Sequence, residues 1–226
     1  MIGTALIIMA KQPLVGSTKT RLCPPLEPAE AAVVYEALLL DTIELCSDLD
    51  GIHLAVAVTP PSAVGYFESI TPSGATLIPV DCPDIGHCLQ QVIGQLLESG
   101  YDKVLALNSD GPSLPAAYIY QAVYNLNHHE MVLGPGEDGG YYLIGLKRLH
   151  KDLFIEIDWS TPRVLPQTIS KIEMLGLDSV MLPYWYDIDT WDDLLRLKDE
   201  LRRLPSELLP NTRRFFSSYK SIERGL

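Results

Sequence analysis

Three cations, Lys11, Lys19 and Arg21, fall within eleven residues of an otherwise acidic chain. Such crowding marks a local anion site. The loop that carries them is broken by Pro13 and Gly16, and Ser17, Thr18 and Thr20 add hydroxyl donors beside the fixed charges. These are the parts of a phosphate cradle, although a solvated loop with incidental charges competes with that reading. It is not a Walker A loop, because the second glycine of G-x-x-x-x-G-K-[ST] is missing, and no G-x-G-x-x-G occurs anywhere.

Carboxylates supply the complementary chemistry. Asp110 ends the run Val104-Leu105-Ala106-Leu107-Asn108-Ser109-Asp110-Gly111-Pro112, where an apolar strand stops at a turn-forming cluster. Ligands collect beyond the carboxyl ends of such strands, and an aspartate there can hold a divalent metal that neutralises a diphosphate. The alternative is that Asp110 caps the next helix or closes an Asx-turn. Asp187 and Asp189 are spaced i, i+2 in Trp185-Tyr186-Asp187-Ile188-Asp189-Thr190, which puts both on one side of an extended chain. Glu137 and Asp138 lie in Pro135-Gly136-Glu137-Asp138-Gly139-Gly140, where Gly139 and Gly140 would let backbone approach a ligand; a plain hairpin loop is the competing view. Trp159-Ser160-Thr161-Pro162 precedes a helix, and the amides near Ser160 and Thr161 could receive a phosphate or a carboxylate.

The elements that must position these groups alternate between strand and helix. Thr4 to Ala10 reads as a central strand, Pro28 to about Cys46 as a helix with an apolar stripe, His53 to Val58 and Ala75 to Val80 as strands, and His87 to Glu98 as a helix leading to the Asp110 strand. A helix from about Ser113 to Asn127 follows, then strands at Met131 to Gly134, Tyr141 to Leu146 and Val180 to Leu182. Thr190-Trp191-Asp192-Asp193 resembles a capping box that opens a helix to about Arg203. This is the pattern of an α/β domain with a mostly parallel sheet covered on both faces. One domain over residues 1–204 with a C-terminal extension at 205–226 is the simplest organisation.

Composition sets the bounds. A chain of 226 residues can bury roughly 70% of its unfolded surface without disulfide or metal staples. Net charge of −12 argues against nonspecific binding of nucleic acid. The charge is uneven: from Arg196 onward eight Lys and Arg face four Asp and Glu, a net of +4 that leaves −16 on residues 1–195. That basic segment could be an oligomer contact or a solvated helix face. Cys23, Cys46, Cys82 and Cys88 show no CxxC spacing and no secretory leader is evident, so a reduced cytoplasm is expected, with no membrane span. Cys82, His87 and Cys88 do not make a zinc set, because adjacent ligands hinder one another and a fourth is not evident.

Lys19-Thr20-Arg21-Leu22, Asn108-Ser109-Asp110-Gly111-Pro112, Gly134-Pro135-Gly136-Glu137-Asp138-Gly139-Gly140-Tyr141-Tyr142, Trp159-Ser160-Thr161-Pro162-Arg163 and Tyr186-Asp187-Ile188-Asp189-Thr190 together resemble the DUF2064 family. That family is also described as radical-SAM/selenodomain-associated glycosyltransferases, within the nucleotide-diphospho-sugar transferase (GT-A) superfamily. The likeness spans about residues 5–200. Two stretches depart from it: Val15 stands where the family usually has proline, and Pro83-Asp84-Ile85-Gly86-His87-Cys88 replaces a Gly-Asp-Leu-Gly-Glu-Arg-like stretch. The resemblance implies a three-layer α/β/α sandwich and a nucleotide diphosphate bound with a divalent metal. Lys19 and Arg21 would then face the diphosphate, Asp110 would hold the metal and Asp189 would be its second acidic ligand.

The expected activity is transfer of a sugar from a nucleotide-diphosphate donor to an acceptor hydroxyl, with Mg²⁺ or Mn²⁺ offsetting charge on the leaving group. An inverting reaction wants a base, for which Asp138 or Glu137 is the candidate. Two alternatives stand beside it: a nucleotidyltransferase that releases pyrophosphate from an NTP, and a nucleotide-binding protein without turnover.

Overall fold

The computed structural model describes residues 3–218. Its centre is a seven-stranded sheet of β1 (Thr4–Lys11), β2 (Ile52–Thr59), β3 (Thr76–Pro79), β4 (Lys103–Leu107), β5 (Met131–Pro135), β6 (Tyr141–Leu146) and β7 (Ser179–Met181), in the order β3-β2-β1-β4-β6-β5-β7. β1 lies parallel to both β2 and β4, while β6 runs antiparallel to both β4 and β5. β6 is thus the one reversed strand, entered by the short turn from β5. Among the described residues seven α-helices accompany the sheet: α1 (Pro28–Ser47), α2 (Val64–Ile70), α3 (Ile85–Glu98), α4 (Ala116–Asn125), α5 (Val164–Leu175), α6 (Trp191–Glu200) and α7 (Pro210–Ser218).

Alternation along β1 divides the core into layers. Leu6, Ile8 and Ala10 pack with Tyr35, Leu39 and Ile43 of α1, Phe67 of α2 and Ile119 of α4. Ala5 and Ile7 face Leu89, Val92 and Ile93 of α3 and Leu165 and Ile172 of α5. Because β1 has neighbours on both sides and helices on both faces, it is apolar at successive positions and not only at alternate ones. The result is the expected three-layer α/β/α sandwich with a mostly parallel sheet.

Several boundaries differ from expectation. The hydroxyl-and-proline start expected at Ser160 to Pro162 is not a helix cap: α5 begins at Val164, Ser160 has a φ of 61°, and Thr161 Oγ1 accepts instead from the Arg163 N–H. The capping box at Thr190 and Asp193 forms, but α6 ends at Glu200, short of Arg203. Cys82 and Cys88 are joined in a disulfide, where free thiols were expected. Of the C-terminal segment, residues 205–218 are described, and they contain α7. Leu209 and Phe215 pack with Val34 and Leu38 of α1 and with Leu194 and Leu197 of α6, so this segment completes a third apolar cluster. Residues 219–226 lie outside the described chain. Among the described residues no helix is long and apolar enough to cross a membrane.

Candidate active site

Three chain segments meet beyond the carboxyl ends of β1 and β4. After β4, Asn108 N–H donates to the Tyr142 carbonyl, and Ser109 Oγ shares a 2.8 Å hydrogen bond with Tyr35 of α1. The Tyr35 hydroxyl also accepts from the Lys11 N–H at the end of β1. One buried phenol therefore ties the two strand ends together. The segment after β7 is sewn alongside: Ile188 N–H donates to the Asp110 carbonyl at 3.0 Å, Trp185 N–H to the Pro135 carbonyl, and Glu137 N–H to the Trp185 carbonyl. Gly111 keeps this weave close, since a Cβ there would sit 3.3 Å from the Tyr186 carbonyl oxygen, tighter than ordinary contact.

The consequence is an acidic cluster. Asp110, Asp187 and Asp189 each offer an oxygen, and the three oxygens lie within 4.8 Å of one another. The aspartates at i and i+2 do share a side, as extended chain requires. Lys19 is among them: its Nζ donates to Asp110 Oδ2 at 2.7 Å and to Asp189 Oδ1 at 2.6 Å, and its side chain is only 7% exposed. Arg21 Nη1 lies 3.6 Å from Asp189 Oδ2 but is 69% exposed.

These distances shift the titration of the cluster. Burial disfavours the charged form of the Lys19 ammonium, but Asp110 and Asp189 outweigh it and hold its pKa above the usual lysine range. Burial also opposes ionisation of Asp189, and Lys19 followed by Arg21 overcomes it, so that carboxyl sits below its ordinary value. Asp187 goes the other way. Burial, then the charges of Asp110, Asp189 and Asp138, raise it to about 7, with Lys19 only partly offsetting them.

Hard oxygen donors, crowded and short of positive charge, are what a divalent cation needs. Asp110 Oδ1 is buried without a hydrogen-bond partner, a costly arrangement unless a ligand completes it. The residues present therefore fit Mg²⁺ or Mn²⁺.

The remaining candidates are placed less uniformly. Lys11 is exposed at the end of β1, Gly16 takes a φ of 79° in the loop that follows, and Thr20 is exposed at the start of the 3-10 turn Thr20–Leu22. Asp138 Oδ1 accepts from the Gly140 N–H at 2.9 Å, and its charge reaches Asp187. Glu137 is turned elsewhere, held bidentately by Arg196 of α6 at 2.6 and 3.2 Å, while that guanidinium lies 3.6 Å from the centre of the Tyr186 ring.

The glycines of this loop serve packing. A Cβ on Gly139, whose φ is 87°, would fall 2.5 Å from the Pro162 carbonyl oxygen, and one on Gly136 would meet Asp138 Oδ1 at 2.5 Å. The close approach read from sequence as room for a ligand is filled by the chain's own backbone at Gly139. Gly140 in turn gives its amide to Asp138, and Leu165 N–H donates to the Gly139 carbonyl, so the segment that follows Ser160 and Thr161 is tied to the acid loop at Leu165. Sequence reasoning missed Tyr35, which lies within the helix read from Pro28 to about Cys46, and Arg196, which it counted only as part of a basic segment. The one signal for Tyr35 is a hydroxyl on a buried face, and such a group requires a partner.

Comparison with known proteins agrees with this architecture. A protein from Desulfovibrio desulfuricans G20, provisionally named a nucleotide-diphospho-sugar transferase, superposes with a TM-score of 0.83 at 26% identity, covering 94% of this chain and 97% of that one. A CMP:2-keto-3-deoxy-manno-octonic acid synthetase complexed with CTP gives 0.58 at 11% identity over 88% and 98% of the two chains. The 4-diphosphocytidyl-2C-methyl-D-erythritol synthase of Anaerococcus prevotii DSM 20548 gives 0.59 at 11% over 88% and 96%. At such identities these last two share the fold alone. No curated protein matches the sequence. Residues 42–161 match the family described as "Uncharacterized protein conserved in bacteria (DUF2064)", and since that stretch is more than half of its length, the chain belongs to the DUF2064 family.

Proposed function

We propose that the protein is a metal-dependent glycosyltransferase that takes its sugar from a nucleotide-diphosphate donor. The observation that carries this reading is the convergence of Asp110, Asp187 and Asp189 beside Lys19 and Arg21 at the carboxyl end of a parallel sheet. The name given to the Desulfovibrio relative supports it. A divalent ion held by the three carboxylates would screen the negative charge that grows on the departing nucleoside diphosphate.

The chain's own groups do the rest. Lys19 and Arg21 bring positive charge to the diphosphate side, with Lys11, Gly16 and Thr20 on the loop that borders it. Asp138 is the candidate base for the acceptor hydroxyl, because Gly140 orients one of its oxygens and the loop packs rigidly on Pro162. Glu137, committed to Arg196, holds that loop on α6. Residues 1–204 form the catalytic unit and 205–226 its C-terminal extension, whose described part braces α1.

The test is release of nucleoside diphosphate from a panel of nucleotide sugars with and without Mn²⁺. Metal-dependent release is expected; absence of binding by every donor at millimolar concentration with Mn²⁺ present overturns the reading. A nucleotidyltransferase would use the same cation-and-acid arrangement, and pyrophosphate release from an NTP in the same assay identifies it. Against that alternative, the first loop has Gly16 as its only glycine, which leaves little room to wrap a triphosphate closely.

A further inference from the structure

We propose that Lys19 is a built-in stand-in for the divalent cation: its ammonium neutralises the acidic cluster in the free protein, and the metal must displace it to bind. This rests on the metal role proposed above. Lys19 Nζ contacts oxygens of two of the three candidate ligands, Asp110 and Asp189, at 2.7 and 2.6 Å. Repulsion between cations scales with the product of their charges and the inverse of their separation, so an ammonium on these two carboxylates opposes a divalent ion held by the same pair. Metal entry therefore competes with Lys19 for Asp110 and Asp189.

Two features make the exchange favourable. The lysine leaves the cluster undersupplied, since Asp110 Oδ1 stays buried without a hydrogen bond and Asp187 stays crowded against Asp110 and Asp189. Lys19 is also held there by an unusual backbone, with φ 50° and ψ 41° in the left-handed region that a residue with a side chain adopts at a cost. Its successors Thr20 and Arg21 are exposed, so this one conformation turns a single cation of the loop inward. Displacement returns that charge to the border of the site, where an arriving anion meets it.

The test compares Mn²⁺ binding to the wild-type protein and Lys19→Gln, followed through the electron paramagnetic resonance of free Mn²⁺ with no nucleotide present. Removing the competitor is expected to tighten Mn²⁺ about tenfold, a change of about 1.4 kcal/mol, and Asp110→Asn in the Lys19→Gln background abolishes the gain. Equal or weaker binding by Lys19→Gln overturns the proposal and leaves the metal reading intact. Absence of Mn²⁺ binding by both proteins overturns both. A measurement on the unmutated protein guards against a variant that fails to fold: acetic anhydride labelling of Lys19, read by mass spectrometry, should rise at saturating Mn²⁺. Protection of Lys19 unchanged by Mn²⁺ overturns the proposal.

Discussion

Two aspartates taken out of water in this molecule are treated in opposite ways. Asp41, in the middle of α1 and 2% exposed, has both oxygens committed: Oδ1 accepts from the Asn211 backbone N–H and side-chain amide, and Oδ2 from the Thr212 N–H and hydroxyl. It sits against the first turn of α7, where free amides and the positive end of the helix favour an anion. Asp110 has one oxygen on Lys19, the other without a partner, and two more carboxylates as neighbours. A satisfied carboxylate stabilises a fold; a crowded and undersupplied one is held in place by the fold and waits for a ligand. The first kind should matter to stability and not to turnover, and the second kind the reverse.

The largest test of that contrast is Asp110→Asn. It should lower metal-dependent turnover by roughly 10²–10³-fold, the scale for losing one electrostatic stabiliser of a developing charge, while leaving the urea unfolding midpoint nearly unchanged. Asp41→Ala should do the opposite, costing about 3 kcal/mol of stability because it strips charged hydrogen bonds from buried amides, with activity per folded molecule preserved. A large loss of turnover in Asp41→Ala without loss of stability would break the comparison.

Asp187 sharpens it through pH. Its folded-state value of about 7 stands above the ordinary 3.8, so the native state holds the proton more tightly than the unfolded chain does. The native state therefore loses stability through this group as pH rises from about 4 to about 7. Asp187→Asn removes that loss: in urea denaturation without metal, the variant should match wild type near pH 4 and exceed it by about 4 kcal/mol at pH 8. Saturating Mn²⁺ should stabilise the wild type more than the variant, since binding to the native state raises its stability. The smallest expected effect is Arg196→Ala. The Arg196–Glu137 pair is 42% and 48% exposed, so solvent screening holds its contribution, with the stacking on Tyr186, to less than about 1 kcal/mol by thermal denaturation.

What could be seen in the sequence was what local rules determine. The strand before Asp110, the Thr190 capping box and the shared side of Asp187 and Asp189 depend on neighbours within a few positions, and each formed where it was read. The glycine-rich loop shows where such reading stops. Its glycines announce a close approach, but that the Gly139 approach is to Pro162 depends on a segment 23 positions away. Glu137 was an equal candidate with Asp138 until Arg196, 59 positions later, took it.

The chain's own order of residues determined an α/β sandwich, an early cluster of cations and later acids at strand ends, because periodicity and turn chemistry act over a few residues at a time. Tertiary structure alone decided that Lys19 lies buried between Asp110 and Asp189, 91 and 170 positions away, and that Asp41 caps a helix 170 positions later. Charge at a site depends on distance in space and on removal from water, and neither quantity exists until the sheet has brought its strand ends together.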